Sequence, residues 1–243
     1  MAVRLDALCL DAHDPEDLAR FWAGVLGREP GRDEYDVPTL PPDSAPGFPL
    51  RFLPGSGEKA GPNQAHFDLT SASASDQGAI VARALELGAR RLDVGQGPDA
   101  EHVVLADPDG NEFCVIEPGN GFLADTGVIG ALSSDGTQRV GYFWSEALGW
   151  PLVWDQDEET AIQAPDGGTK ITWGGPPLNP RWGKNRLHLD LAVEPGGDPD
   201  AEVERLVGLG ATVSDVAQAH PARVRVVGLA DPDGNEFCLL PPR

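Results

Sequence analysis

Two histidines and two cysteines stand in matched settings. His66 lies in Ala65-His66-Phe67-Asp68-Leu69 and His188 in Leu187-His188-Leu189-Asp190-Leu191, while Cys114 and Cys238 each follow an Asp-Gly-Asn-Glu-Phe run. An imidazole nitrogen and a thiolate sulfur are good ligands for a divalent metal, and a His–Cys pair can also make a nucleophile with its base. Alternate residues of an extended strand share a face, so His66 and Asp68 point the same way, and His66 could look into one concavity with Cys114, as His188 could with Cys238. Both types also occur as plain structure: cysteine is among the most buried residues, and a strand histidine is often only hydrogen-bonded. A third group to orient a nucleophile pair is not identifiable, and no residue is assigned a catalytic role.

Tryptophans supply a second kind of chemistry. Trp150, Trp154, Trp173 and Trp182 all fall in the C-terminal half, and Trp150 and Trp154 are spaced to share a strand face. Such faces stack planar ligands or fill a core. Arg181, Lys184 and Arg186 flank Trp182 as a positive edge, which favours an aromatic ligand carrying an acid group. Phosphorylated metabolites fit less well, because no glycine-rich loop opens a helix to cradle them.

The elements that position these residues are written twice. Ala106–Pro118 (ADPDGNEFCVIEP) recurs as 230–242, HFDL at 66–69 as HLDL at 188–191, and FWAGVLG at 21–27 as FWSEALG at 143–149. Leu87-Gly88-Ala89 recurs as Leu209-Gly210-Ala211. Collinear matches at nearly one offset mean a tandem duplication, with two residues inserted between 211 and 231. The expected units are 1–120 and 121–243, parted at the turn-like Pro118-Gly119-Asn120-Gly121. Each unit reads strand, helix and short strands, then the same again. Asp14-Pro15 opens a helix with Leu18, Phe21, Trp22, Val25 and Leu26 on one stripe and Gly27 at its end. A second begins near Ser75, and its counterpart at Asp198-Pro199. Asp-Pro-Asp-Gly-Asn reads as a tight turn that aims the following strand; it lacks the further ligands of a calcium loop.

The chain has 243 residues, with 18 basic and 39 acidic side chains giving a net charge of −21. That charge repels nucleic-acid backbones and anionic membranes. No apolar run approaches the ~20 residues of a membrane span, and the N-terminus lacks the pattern of a secretory signal. Three cysteines make no disulfide framework, so a cytoplasmic setting is expected.

Paired βαβββ modules, the FWxxxLG helix end, the HxDL strand and the terminal DPDGNEF strand together resemble the vicinal oxygen chelate proteins: glyoxalases, bleomycin-resistance proteins and extradiol dioxygenases. The run Lys184-Asn185-Arg186-Leu187-His188-Leu189-Asp190-Leu191 is most similar to the glyoxalase-like branch. The resemblance implies an α+β fold of four βαβββ modules paired into two curved-sheet cups, a pseudo-dimer within one chain. Metal-dependent members hold up to four ligands from the first and last strands of the modules. Position by position, His66 and His188 fall on ligand histidines, while Cys114 and Cys238 stand where a ligand glutamate is usual. Segments 48–53 and 168–175 offer no Asp, Glu, His or Cys, and the first strand offers Asp6 in one copy but Val128 in the other. Ligands are thus too few for a catalytic zinc, which takes three and a water. The expectation is a protein that binds an aromatic organic molecule without a catalytic metal or other cofactor. A vicinal oxygen chelate lyase, isomerase or dioxygenase with a divalent metal at His66 or His188 is the alternative.

Overall fold

A computed structural model describes residues 3–242 apart from 43–46, 56, 58, 98, 216–219 and 221–224. Four βαβββ modules follow one another. The first is β1 (Val3–Ala12), α1 (Pro15–Leu26), β2 (Gly31–Arg32), β3 (Pro38–Leu40) and β4 (Leu50–Pro54). The second is β5 (Ala65–Leu69), α2 (Ala74–Glu86), β6 (Arg90–Arg91), β7 (Val103–Ala106) and β8 (Glu112–Val115). The third is β9 (Ile129–Ser134), α3 (Gln138–Leu148), β10 (Leu152–Gln156), β11 (Glu159–Ala164) and β12 (Gly167–Trp173). The fourth is β13 (Leu187–Val193), α4 (Pro199–Leu209), β14 (Thr212–Val213), β15 (Val227–Ala230) and β16 (Glu236–Leu240).

The helix signals act as read. The Asp14 carboxylate accepts from the Glu16 and Asp17 amides, and Gly27 closes α1 with φ of 66°. Ser73 caps α2 and Asp198 caps α4 in the same way. These contacts satisfy amides and carbonyls that a helix end leaves unpaired.

Two curved sheets of eight strands result, and each draws one module from each half. One runs β14-β15-β16-β13-β1-β4-β3-β2, joining modules four and one; the other runs β10-β11-β12-β9-β5-β8-β7-β6, joining modules three and two. The seams are antiparallel. In the β1–β13 seam Cys9 faces His188 and Ala7 faces Asp190; in the β5–β9 seam His66 faces Ser133.

Within each half, the repeated motifs tie one sheet to the other. Asp107 turns the chain by accepting from the Asn111 amide at 2.8 Å, and also accepts from Trp22 Nε1 at 3.2 Å. Asp109 accepts from the His13 amide at 2.6 Å. The second copy repeats this with Asp231 and Trp144 Nε1 at 3.3 Å, and with Asp233 and the Thr137 amide at 2.7 Å. Trp22 also packs edge-on against Phe67 and Phe113, with ring centroids 5.1 and 5.0 Å away. The apolar core is continuous from these rings through both sheets and all four helices. Among the described residues no helix is long and apolar enough to cross a membrane.

Candidate functional site

The two cups differ on their concave faces. The β5–β9 cup opens on a cavity of about 530 Å³ whose lining includes His66, Phe122, Trp154, Glu159, Thr160 and Trp173. His66 rises from β5 with its side chain about a third exposed, its Nε2 3.5 Å from Asp68 Oδ1. Asp68 in turn accepts from Ser133 Oγ at 2.5 Å, across the seam. Burial alone would lower the His66 pKa, but Asp68 and Cys114 beside it raise it to about 10. The aromatic wall is braced: Phe122 meets Trp154 edge-on at 5.9 Å, and Lys170 Nζ sits 4.4 Å from the Phe122 ring centre.

The β1–β13 cup is filled by its own side chains. His188 and Asp190 have fully buried side chains, and Cys9 and Cys238 are buried with them. Arg51 enters from β4 and meets three carboxylates: Asp190 at 2.6 Å, Asp33 at 2.9 Å and Asp6 at 3.1 Å. Cys9 Sγ lies 3.0 Å from Asp190 Oδ2. His220, from the β14–β15 connection, brings Nε2 within 3.3 Å of Asp190 Oδ1, and His188 Nε2 lies 3.5 Å from the same oxygen. Burial works against its charge, but the two imidazoles hold the Asp190 carboxyl well below the usual carboxylate range. Burial first, and then the charge of Asp190, push the Cys238 thiol far up. An unassisted Cys238 is therefore a neutral thiol, not a nucleophile.

Sheet pairing decides which residues of the sequence analysis meet. Trp154 and Trp173, grouped by sequence with His188 and Cys238, share the cavity with His66 instead. A register shift between Leu152 and Trp154 breaks the alternation of β10, so Trp150 packs against the core while Trp154 faces the cavity. Trp182 is more than half exposed and lies against Gly61, where a Cβ would come within 2.2 Å of its ring. The positive edge is neutralised: Arg181 pairs with Glu236, Lys184 with Asp11, and Arg186 Nη2 lies 3.7 Å from Asp109. The charged residues of the cavity lining are acidic or histidine, Asp135 and Glu159 beside His66.

Asp190, His220 and Arg51 have no site role in the sequence reading, and Asp68 enters it only as sharing the strand face of His66. The two aspartates carried a usable signal, since both HxDL runs place Asp on the histidine's face. His220 has none, standing in the stretch where the copies differ in length. Arg51 carries no such signal either, standing in an apolar segment, 48–53, without a counterpart arginine in 168–175.

Two groups of donors could hold a divalent metal. His66, Asp68 and Cys114 form one; His188, Asp190, His220 and Cys238 form the other, and within each group the donor atoms lie within 4.8 Å of one another. Among the described residues, both ring nitrogens of His188, Nε2 of His220 and Oδ1 of Asp190 in the second group are buried without a well-formed hydrogen bond. Nitrogen, oxygen and sulfur donors in these numbers suit zinc or a neighbouring first-row ion.

Fold and repeated site agree with one family. A family model for the glyoxalase-like domain matches residues 7–116 and again 131–240, and the chain belongs to that family, in two tandem copies. Among solved structures it is similar to glyoxalase I from Zea mays, at 15% identity and a TM-score of 0.64 over 99% of this chain and 92% of that chain. It is similar also to a proposed dioxygenase from Bacillus subtilis, at 14% identity and a TM-score of 0.61 over 99% of this chain and 85% of that one. At such identities the likeness is one of fold. No curated protein matches the sequence.

Proposed function

We propose that the protein binds a small aromatic molecule in the β5–β9 cup, without a catalytic metal. One observation carries this reading: an open cavity of about 530 Å³ lies over His66 with Trp154, Trp173 and Phe122 around it, while the other cup is packed shut. That volume lies in the range of small-molecule sites. Trp154 and Phe122 supply ring faces or edges for stacking. Asp135 and Glu159 oppose an anionic ligand, so the acid-bearing ligand expected from the Arg181–Arg186 edge gives way to a neutral or basic one. Titration with a panel of neutral, basic and acidic aromatic compounds, followed by tryptophan fluorescence and calorimetry, tests this. Trp154→Ala should weaken binding several-fold, about 1 kcal/mol for one stacking contact. A panel that gives no binding at high micromolar concentration, or binding indifferent to Trp154→Ala, sinks the proposal.

A second reading rests on the group His66, Asp68 and Cys114. Three protein donors beside an open cavity are the number a catalytic zinc takes, with its last position free. A divalent ion there would polarise a bound oxygen, the chemistry of a lyase, isomerase or dioxygenase. His66 and Asp68 would then orient the ion, and Ser133 would hold Asp68. Metal analysis of untagged protein separates the readings: a metal lost on His66→Ala favours the second.

A further inference from the structure

We infer that the closed β1–β13 cup holds one structural divalent cation, zinc by its donors, bound by module four alone through His188, Asp190, His220 and Cys238. Donor geometry is the first ground. Two imidazole nitrogens, a carboxylate oxygen and a sulfur lie within 4.8 Å of one another, which a tetrahedral ion with bonds of about 2.0–2.3 Å draws together with little movement.

Orphaned atoms are the second ground. Among the described residues, both nitrogens of His188, Nε2 of His220 and Asp190 Oδ1 are buried without a well-formed hydrogen bond, the two imidazoles standing 3.5 and 3.3 Å from that oxygen. Buried polar atoms in folded proteins are almost always satisfied, and clustered exceptions call for an unseen partner. Nε2 of both histidines lies within 3.5 Å of Asp190 Oδ1, so a cation among them would satisfy all three atoms at once.

Binding would release the Cys238 thiol proton to solvent as the thiolate sulfur bonds the ion.

The arrangement departs from a centre shared between two modules. Where module one would contribute from β4 it places Arg51, whose Nη1 takes Asp190 Oδ2 and leaves Oδ1 for the ion. Four protein ligands, with His188 and Asp190 fully buried and His220 nearly so, leave no position for substrate, the mark of a structural rather than a catalytic site. Its effect would be to fasten His220 onto the sheet.

The test uses full-length protein made without an affinity tag or chelator, analysed by elemental mass spectrometry and thermal unfolding. About one zinc per chain is expected, retained in His66→Ala and lost in His220→Gln and Cys238→Ser. Chelation should lower the melting temperature by about 5 °C, and added zinc should restore it. Cobalt substituted for zinc in the chelated wild type should give the intense visible bands of a tetrahedral site and a thiolate charge-transfer band, a readout that does not depend on any variant folding. Absence of metal from the native protein with no thermal response to zinc, an octahedral cobalt spectrum, or metal that survives His220→Gln but leaves with His66→Ala would each overturn the inference. The last result would move the ion to the β5–β9 cup, and neither of the first two touches the ligand proposed there.

Discussion

Arg51 and Asp107 show how costly charges are kept inside this molecule. Arg51 is nearly unexposed and shared among Asp6, Asp33 and Asp190. Replacing it with Met leaves buried carboxylates uncompensated, and the expected loss is about 3–5 kcal/mol in urea unfolding; a loss under 1 kcal/mol would mean that the cluster is fed with charge from elsewhere. Asp107 is fully buried at the turn, and burial raises its pKa to about 6 in spite of hydrogen bonds from Asn111 and Trp22. An unfolded aspartate ionises near pH 4 (about 3.9). The folded chain thus keeps a proton that the unfolded chain gives up, and the stability due to Asp107 is full below about pH 4 and lost as pH rises through about 6. Linkage sets the change at about 3 kcal/mol. Asp107→Asn does not titrate, so the stability of the wild type relative to that variant should fall by this amount between pH 4 and 7. Unfolding curves that stay parallel across the range would contradict it. At this scale the sequence was legible where a residue recurs in a fixed setting, as His66 and His188 do. It was opaque where a lone residue, Arg51 or His220, meets its partners through long-range pairing.

At the scale of elements the Asp-Pro-Asp-Gly-Asn turn does more than reverse the chain. Its two aspartates reach the helix and the strand end of the preceding module, through Trp22 and His13 in one half and Trp144 and Thr137 in the other. The FWxxxLG and DPDGNEF motifs are therefore two sides of one contact, which is why they travel together through the duplication. Trp22→Phe keeps most of the ring packing and removes the indole donor. It should cost about 1–3 kcal/mol, the range for depriving a buried acceptor of a partner, and Trp144→Phe should cost about the same by thermal or urea unfolding. Helices were legible from caps and apolar stripes because those signals are local. The short strands were legible only roughly, and the bulge that turns Trp150 away from Trp154 was not, because alternation assumes an unbroken register.

The whole molecule is laced across its own repeat. Each half supplies a module to both sheets, so the seams β1–β13 and β5–β9 join residues more than a hundred positions apart or across the repeat boundary. Four modules and two curved sheets follow from the repeated pattern and the family resemblance. Which module sits beside which does not, because equivalent strands carry equivalent edges and either pairing buries the same faces. Expressed alone, 1–120 leaves β1 and β5 without seam partners, and exposed edges of this kind seek other strands. Light scattering should find each fragment self-associated or aggregated, and the two fragments folded together should give a one-to-one complex; two stable monomeric halves would contradict the lacing.

The lacing also bears on how such a chain can change. Two identical copies of a two-module protein, assembled in the same manner, would have two identical cups, and every substitution would strike both at once. Joining the copies in one polypeptide removes that compulsory symmetry. Trp154 and Phe122 can be acquired on one concave face while Arg51 and His220 close the other, with the shared turn-to-tryptophan ties left unchanged. Fusion thus turns a pair of equal vessels into two that can change apart: one cup stays open while its twin is filled by its own side chains.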